Sequence, residues 1–267
     1  MERLKIGLAL GAGAARGLAH IGVLQVLEEE KIPIDLVVGT SIGSLIGAFY
    51  AAGNDLYMLG RLAEHLQWKH LADFTFCKNG LINGKEFFDF ICLLTQNKQF
   101  TDLDLPFAAV ATDIESGEEV VLQEGLVAKA VRASISVPGI FTPVQIDNRL
   151  LVDGAVVSNL PVKATKQLGA DVVIAVDVAG DLKANRTSNI VEIILQTISI
   201  MDYEIAKLKA TEADFIIRPA VGDMAVTAIH RSQECISLGR EATLQALPQI
   251  QQLLRNKGID LPINSDK

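Results

Sequence analysis

The sequence predicts an α/β protein with a mostly parallel central sheet and helices covering both faces of that sheet. Two short apolar stretches, residues 5–10 and 34–38, each lead into a glycine-rich turn and then into a helical pattern. Residues 172–178 form a nearly continuous apolar run, which is typical of a central parallel strand. The 267-residue chain is 49% hydrophobic and 21% charged, so we expect one domain with a large core over residues 1–267.

The first part of the chain is expected to contain two strand-turn-helix units. An amphipathic helix over 18–29 follows the strand at 5–10. A helix over 44–52, closed by Gly53, follows the strand at 34–38. The glycine-rich turns therefore lie at the carboxyl ends of two neighbouring strands.

Residues 55–104 are predicted to be mainly helical and hold a concentration of aromatic side chains. These are Trp68, Phe74, Phe76, Phe87, Phe88 and Phe90. Phe87, Ile91 and Leu94 recur at helical spacing, which indicates core packing. The alternative is a mobile cap that faces lipid, and the pattern leaves both interpretations open.

The rest of the chain alternates strands and helices. Strands are expected at 107–112, 119–123, 145–146, 150–152, 172–178 and 215–217. Helices are expected from 159–161 onward, over 190–210, and over 233–254 with an interruption at Pro248. Asp153 comes directly after the strand at 150–152.

The composition excludes several classes of function. A net charge of −8 without a Lys/Arg cluster argues against a nucleic-acid partner and against a polybasic membrane anchor. Cys77, Cys92 and Cys235 are widely spaced and form no C-x-x-C pair, so neither a disulfide framework nor a metal site is indicated. The apolar stretches 6–15 and 36–54 imitate a signal peptide and a membrane span, but their glycines favour strands and turns. We expect a cytoplasmic protein.

The turn Gly39-Thr40-Ser41-Ile42-Gly43 carries the candidate nucleophile. A G-x-S-x-G sequence between an apolar strand and a helix forms a tight bend, because the two glycines let strand and helix approach without a Cβ between them. The bend holds the serine hydroxyl out at a helix N-terminus. This arrangement predicts nucleophilic catalysis by Ser41.

The earlier turn, residues 11–17, carries candidate oxyanion donors. Gly13 and Ala14 precede a helix and can present backbone N–H groups to a developing oxyanion, and Arg16 adds positive charge nearby. The same glycines also suggest a dinucleotide-binding turn. Their spacing is G-x-G-x-x-x-G instead of G-x-G-x-x-G, and the nearest acid, Asp35, precedes its strand instead of ending it.

Four ordered motifs make the chain resemble the bacterial patatin-like phospholipases over almost its whole length. They comprise residues 5–10 with 16–24, 39–43, 133–134 with 138–143, and 153–155 followed by 159–161. The resemblance implies a three-layer patatin-like fold. It also implies a lipid acyl hydrolase that cleaves carboxylic esters of phospholipids or lysophospholipids, needs no metal or organic cofactor, and contacts a membrane surface transiently.

The resemblance assigns a role to each of the site residues. Ser41 corresponds to the nucleophile and Asp153 to a base that acts on it directly. Gly154 follows Asp153 in the family motif that contains the base. The family's oxyanion loop corresponds to residues 12–17 of this chain.

Two alanines depart from the family pattern. Ala12 and Ala14 stand where the family has glycines, and a positive φ at Ala14 would be strained. If these alanines spoil the oxyanion loop, the chain is a catalytically weak binding module with a regulatory role.

Two further alternatives stay open at the level of sequence. The order Ser41, Asp153, His230 is that of an α/β-hydrolase triad, in which His230 would be the base. The glycine turn at 11–17 leaves a nucleotide-dependent oxidoreductase as the other alternative.

Overall fold

The computed structural model of the chain describes residues 3–67, 73, 79–179, 189–208, 212–259 and 261, without the side chains of 202 and 205–208. Trp68, Phe74, Phe76 and Cys77 lie outside the described residues. The end of the helix expected over 190–210 lies outside them as well.

The structure contains eight strands and eight α-helices among the described residues. The strands are β1 Ile6–Leu10, β2 Leu36–Thr40, β3 Phe107–Asp113, β4 Glu119–Leu122, β5 Val144–Ile146, β6 Arg149–Asp153, β7 Val172–Val176 and β8 Phe215–Ile217. The helices are α1 Ala19–Glu29, α2 Ile42–Ala51, α3 Leu56–His65, α4 Lys85–Leu94, α5 Val127–Ser134, α6 Val162–Gln167, α7 Ile190–Leu208 and α8 Ser232–Asn256. The elements expected from the sequence begin and end within about three residues of these bounds, but α5 was not predicted.

The expected interruption of the last helix at Pro248 was wrong. Helix α8 continues through Pro248 to Asn256. Proline removes the hydrogen bond to the carbonyl four residues earlier, which belongs to Leu244. Both Pro248 and Leu244 are exposed, so that carbonyl can bond to water and the helix tolerates the proline.

The sheet has the order β5-β6-β3-β2-β1-β7-β8, with β4 paired to β3. Strands β1, β2, β3, β7 and β8 are parallel, while β4 and β6 run antiparallel to β3. The strand order changes direction at β1, which lies between β2 and β7. Ligand crevices of such sheets form at the carboxyl ends of the strands beside a change of this kind. The two glycine-rich turns lie at this end.

Strands β2 and β6 lie one after the other along the same edge of β3. Strand β4 pairs with residues 109–112 of β3 and occupies its other edge. On the remaining edge, β2 pairs up to Val110 and β6 pairs from Ala111 onward. Because β2 is parallel and β6 antiparallel to β3, their carboxyl ends point toward each other and meet beside Val110 and Ala111 of β3. Ser41 and Asp153 are therefore brought together.

Helices cover both faces of the sheet, which confirms the layered α/β fold. On one face, Ile6, Leu8 and Leu10 of β1 belong to a large core that includes side chains of α1, α2 and α8. On the other face, α6 packs on smaller clusters around Ala9 and Val38. No helix in the described ranges combines the length and the hydropathy that a membrane span needs.

Phe87, Phe88 and Phe90 of the region 55–104 pack into the core, whereas Tyr57 is exposed. Phe87 is buried, and Phe88 and Phe90 pack against the same cluster. The rings of Phe49 and Phe90 meet edge to face at 6.0 Å. For these residues core packing, rather than a lipid-facing cap, is the correct interpretation.

Candidate active site

Ser41 lies at the bend between β2 and α2, in a backbone conformation that few L-residues adopt. Its φ is 54° and its ψ is −124°. A Cβ on Gly39 would lie 2.4 Å from the backbone of Gly43, and a Cβ on Gly43 would lie 2.2 Å from the carbonyl oxygen of Leu10. Only glycine fits at both positions, so the motif glycines allow the bend that strains Ser41.

Three hydroxyl groups hold this bend in place. The Ser41 N–H donates to Ser134 Oγ at 2.9 Å, and Ser134 Oγ in turn donates to the carbonyl of Val110 at 2.6 Å. Ser44 Oγ donates to the carbonyl of Ser41 at 2.6 Å. Thr40 Oγ1 donates to the carbonyl of Ser158 at 2.9 Å. The serine backbone is thus fixed on both sides before any substrate arrives.

Asp153 ends β6 and is 2% exposed. Its Oδ2 accepts a hydrogen bond from Ser41 Oγ at 2.6 Å, and its Oδ1 accepts one from the Ala155 N–H at 2.9 Å. Its own N–H donates to the carbonyl of Ser136 at 2.9 Å. Gly154, the next residue, is required here, because a Cβ on it would lie 2.3 Å from the carbonyl oxygen of Val110.

Burial raises the pKa of the Asp153 carboxyl to about 7. The hydrogen bonds from Ser41 and from the Ala155 N–H favour the charged form and oppose this rise. A carboxylate with a pKa near neutrality can both accept and return a proton. This electrostatic environment suits a general base.

Arg132 stabilises the C-terminal end of α5, the helix that contains Ser134, through hydrogen bonds. Its Nη1 donates to Ser136 Oγ at 2.5 Å, while Nε and Nη2 donate to the carbonyls of Gly84 and Asn83 at 3.2 and 2.7 Å. Burial lowers the pKa of Arg132 to about 10. Through Ser134 and Ser136, this end of α5 contacts both Ser41 and Asp153.

The glycine-rich loop after β1 leaves two backbone donors available. The N–H groups of Ala12 and Ala15 donate to the carbonyls of Asn159 and Val226. Gly13 and Ala14 have no N–H acceptor among the described residues. Ala14 has a φ of 49°, so the alanine adopts the strained conformation that a glycine would accept freely.

Arg16 contacts distant backbone segments. Its Nε, Nη1 and Nη2 donate to the carbonyls of Met224, Ala179 and Gly222 at 2.8, 2.6 and 3.2 Å. The side chain is 5% exposed, and burial lowers its pKa. The guanidinium therefore links the loop to Ala179, just after β7, and to the chain between β8 and α8.

Neither His20 nor His230 contacts Ser41 or Asp153 among the described contacts. His20 is fully buried, its Nε2 donates to the carbonyl of Gly11 at 2.8 Å, and burial lowers its pKa to about 4. His230 is exposed and bonds to neither Ser41 nor Asp153 among the described contacts. Ser41 Oγ bonds directly to Asp153 with no imidazole between them, so the described contacts favour the direct arrangement over the triad alternative.

The oxidoreductase alternative also fails on geometry. Asp35 accepts a hydrogen bond from the Ile6 N–H at 2.7 Å, at the amino end of β1. The glycine-rich turn lies at the carboxyl end of the same strand. Asp35 therefore cannot bind the ribose of a dinucleotide held by that turn.

Comparison with known proteins identifies the family. The sequence model of the patatin-like phospholipases matches residues 8–166. The lysophospholipase nte1 of Aspergillus fumigatus is 40% identical over 179 residues, which cover 65% of this chain and 12% of that protein. An uncharacterized NTE family protein of Mycobacterium bovis is 35% identical over 185 residues, covering 66% of this chain and 49% of that one. The chain thus spans at most about half the length of these relatives.

Solved structures show the same fold. VipD from Legionella pneumophila aligns with a TM-score of 0.67 at 14% identity, covering 93% of this chain and 67% of VipD. The type III effector ExoU aligns with a TM-score of 0.50 at 13% identity, covering 93% of this chain and 53% of ExoU. The match of the family's sequence model over more than half of the chain shows that the chain belongs to the patatin-like phospholipase family.

Proposed function

We propose that this chain hydrolyses the carboxylic ester of a lysophospholipid or phospholipid with Ser41 as nucleophile and Asp153 as base. The observation that carries the proposal is the 2.6 Å hydrogen bond from Ser41 Oγ to Asp153 Oδ2 at a strained strand-to-helix bend. The pKa of about 7 for Asp153 supports the role of a base near neutral pH. Family membership gives the substrate class.

The first half of the reaction acylates the serine. Ser41 Oγ attacks the ester carbonyl carbon while its proton passes to Asp153 Oδ2. The N–H groups of Gly13 and Ala14, together with the N-terminus of α2, bind the oxyanion that develops. When the tetrahedral intermediate collapses, the bond from the acyl carbon to the alcohol oxygen breaks, and Asp153 returns the proton to that oxygen.

The second half releases the fatty acid. Asp153 takes a proton from a water molecule, which attacks the acyl carbon of the ester on Ser41. The bond between the acyl carbon and Ser41 Oγ then breaks, and Asp153 protonates Oγ. Protons and bonds balance over the cycle, so Ser41 and Asp153 supply all the groups that change bonding in the protein.

A lysophospholipid is the first substrate to test. Relatives at about 40% identity are named lysophospholipases, although this chain covers only 12% of their length.

The unpaired thiols of Cys92 and Cys235 fit the cytoplasmic location that belongs to the proposal. Residues 1–267 are proposed as one domain, because Arg16 bonds to Met224 and Gly222, outside the range that the family's sequence model matches.

Labelling by a fluorophosphonate, together with lysophosphatidylcholine hydrolysis, tests the proposal. The parent chain should be labelled and should release fatty acid, whereas Ser41→Ala should do neither. Ser237→Ala, an exposed serine on α8, is the matched control and should behave as the parent. Labelling of Ser41→Ala would contradict the assignment of the nucleophile. A parent chain that is neither labelled nor active would favour the binding module.

A further inference from the structure

Helix α7 exposes an apolar face to solvent. Ile190, Ile193, Ile200 and Met201 are 63%, 52%, 45% and 58% exposed. Ile193 follows Ile190 by three residues, and Ile200 and Met201 follow Ile193 by seven and eight, so all four lie on one side of the helix, which we call the α7 face. Exposed Thr197 lies among them, and exposed Glu204 lies at the C-terminal end of the same side. Solvent-facing sides of helices in globular proteins are normally polar.

The side of α7 that adjoins this face and turns toward the protein is apolar as well. Val191, Ile194 and Leu195 are partly buried and pack against the main core. None of the described side chains of α7 is fully buried. A helix that is apolar on both sides is normally covered on both sides, so the α7 face is expected to have a partner.

Helix α7 lies beside the catalytic centre. It contacts the 3-10 turn Gly154–Val156, whose first residue follows Asp153 directly. Ile194 Cδ1 lies within 3.3 Å of the position that a Cβ on Gly139 would take. A partner of the α7 face would therefore lie close to the turn that follows Asp153.

We propose that the α7 face docks on a zwitterionic phospholipid surface, with the helix axis parallel to that surface. The inference rests on the proposed function, because a lipid hydrolase takes its substrate from such a surface. Apolar residues along one side of a helix bury into the boundary between headgroups and acyl chains in this orientation.

Area and charge favour a zwitterionic surface over other partners. Four half-exposed side chains offer an apolar area on the order of 400 Å². A stable dimer needs about 800 Å² per partner, so a second copy is the less fitting occupant. The chain carries a net charge of −8, and Glu192 and Glu204 lie on α7 itself, so anionic lipid would be repelled.

Vesicle binding and a comparison of two substrates test the docking. The double variant Ile193→Gln/Ile200→Gln should bind phosphatidylcholine vesicles at least about tenfold more weakly than the parent. Its hydrolysis of lysophosphatidylcholine in those vesicles should fall by a similar factor, while its hydrolysis of water-soluble p-nitrophenyl butyrate stays at the parent rate. Leu244→Gln, which removes an exposed apolar side chain from α8, is the control and should change neither.

A second measurement does not depend on loss of binding. The chain has one tryptophan, Trp68. In a Trp68→Phe background, Ile193→Trp should show a blue-shifted emission in vesicles and quenching by brominated phosphatidylcholine, whereas Leu244→Trp should not.

Three outcomes would overturn the docking proposal. They are absence of vesicle binding by the parent, parent-like binding by the double variant, and a dimer in solution that the double variant abolishes. Ser41→Ala separates docking from catalysis, since it should bind vesicles normally without hydrolysis. A parent chain that binds vesicles but does not hydrolyse the lipid would contradict the proposed function without contradicting the docking proposal.

Discussion

The two glycine-rich turns both hold an L-residue at positive φ, but different parts of the chain fix them. Ser41, with φ 54°, is fixed by glycines two residues away on each side. Ala14, with φ 49°, belongs to a loop that Arg16 ties to carbonyls more than 160 residues away. The conformation of the nucleophile turn is thus set by its own glycines, although Ser134 and Ser158 also bond to it, whereas the oxyanion loop is held in place by distant segments of the fold.

This difference predicts how each turn fails when it is altered. A change at the nucleophile turn should remove chemistry and leave folding largely intact. A change at Arg16, which holds the oxyanion loop, should displace the N–H donors of Gly13 and Ala14 without altering them chemically. It should therefore lower stability as well as rate.

The largest effect is expected from Asp153→Asn. The amide keeps the size of the carboxylate but cannot accept the Ser41 proton, so kcat should fall by several orders of magnitude, at least about 10³-fold. His230→Ala should leave ester hydrolysis nearly at the parent rate. Steady-state kinetics on p-nitrophenyl butyrate, with circular dichroism to verify folding, measures both. An Asp153→Asn variant with ordinary turnover would contradict the dyad.

Arg16→Ala should lower kcat by about 10²-fold, because misplacing a catalytic group by about 1 Å has an effect of this size. The fall in kcat should exceed any rise in KM, since the loop acts in the transition state. The melting temperature should fall too, because three carbonyls lose their donor, two of them in buried hydrogen bonds. Arg231→Ala, which removes a surface ion pair with Glu234, is the matched control and should change neither property. A change confined to KM would reassign Arg16 to substrate binding.

The rate should depend on pH through Asp153. Because the base acts only when charged, kcat/KM for a soluble ester should fall about tenfold per unit below a pKa of about 7. A flat profile between pH 5 and 8 would show that Asp153 is not the titrating base.

The same pKa makes a prediction about stability. The folded state retains a proton that the unfolded chain releases between pH 3.8 and about 7, so the free energy of unfolding falls as the pH rises through that window. Asp153→Asn lacks this titration. Its stability relative to the parent should therefore rise across the window, by up to about 1.4 kcal/mol per pH unit. Urea denaturation at pH 4 and pH 8 measures the difference, and a constant offset would contradict a raised pKa.

Ser134→Ala should have a smaller effect, a fall in kcat of about tenfold or less, because it leaves the Ser41 N–H without its acceptor but keeps the reacting groups. KM should stay unchanged, which distinguishes loss of positioning from loss of substrate binding. Ser232→Ala removes another buried serine hydroxyl, at the start of α8, and serves as the control. Equal losses of kcat in the two variants would assign Ser134 a purely structural role.

The smallest effect is expected from Ala14→Gly. Glycine adopts positive φ without strain, so the variant should be more stable by up to about 1 kcal/mol and at least as active as the parent. Lys31→Gly relieves a comparable φ of 52° at the end of α1 and should stabilise the chain without any change in rate. Thermal denaturation and kinetics compare the two. Destabilisation by Ala14→Gly would show that the alanine makes contacts that outweigh its strain.

The local parts of the site could be predicted from the sequence, and the long-range parts could not. The bend at Ser41 follows from its flanking glycines alone. Asp153 was identified through the family resemblance, since its position depends on the register of β6 against β3. Helix α5 was missed because its eight residues are too short for periodicity to stand out. The partners of Arg16 come from segments whose placement no local pattern encodes.

The meeting of β2 and β6 on one edge of β3 makes chemical reactivity a late event in the folding of this chain. Ser41 and Asp153 are 112 residues apart, and each takes its position from β3. Pairings of such long range form slowly compared with local turns. Under the proposed function, a half-folded copy would carry Ser41 without its base and would be inert toward esters. Under the proposed chemistry, reaction of Ser41 with a fluorophosphonate indicates that the sheet is complete. The rate of labelling during refolding therefore measures the last step of sheet formation.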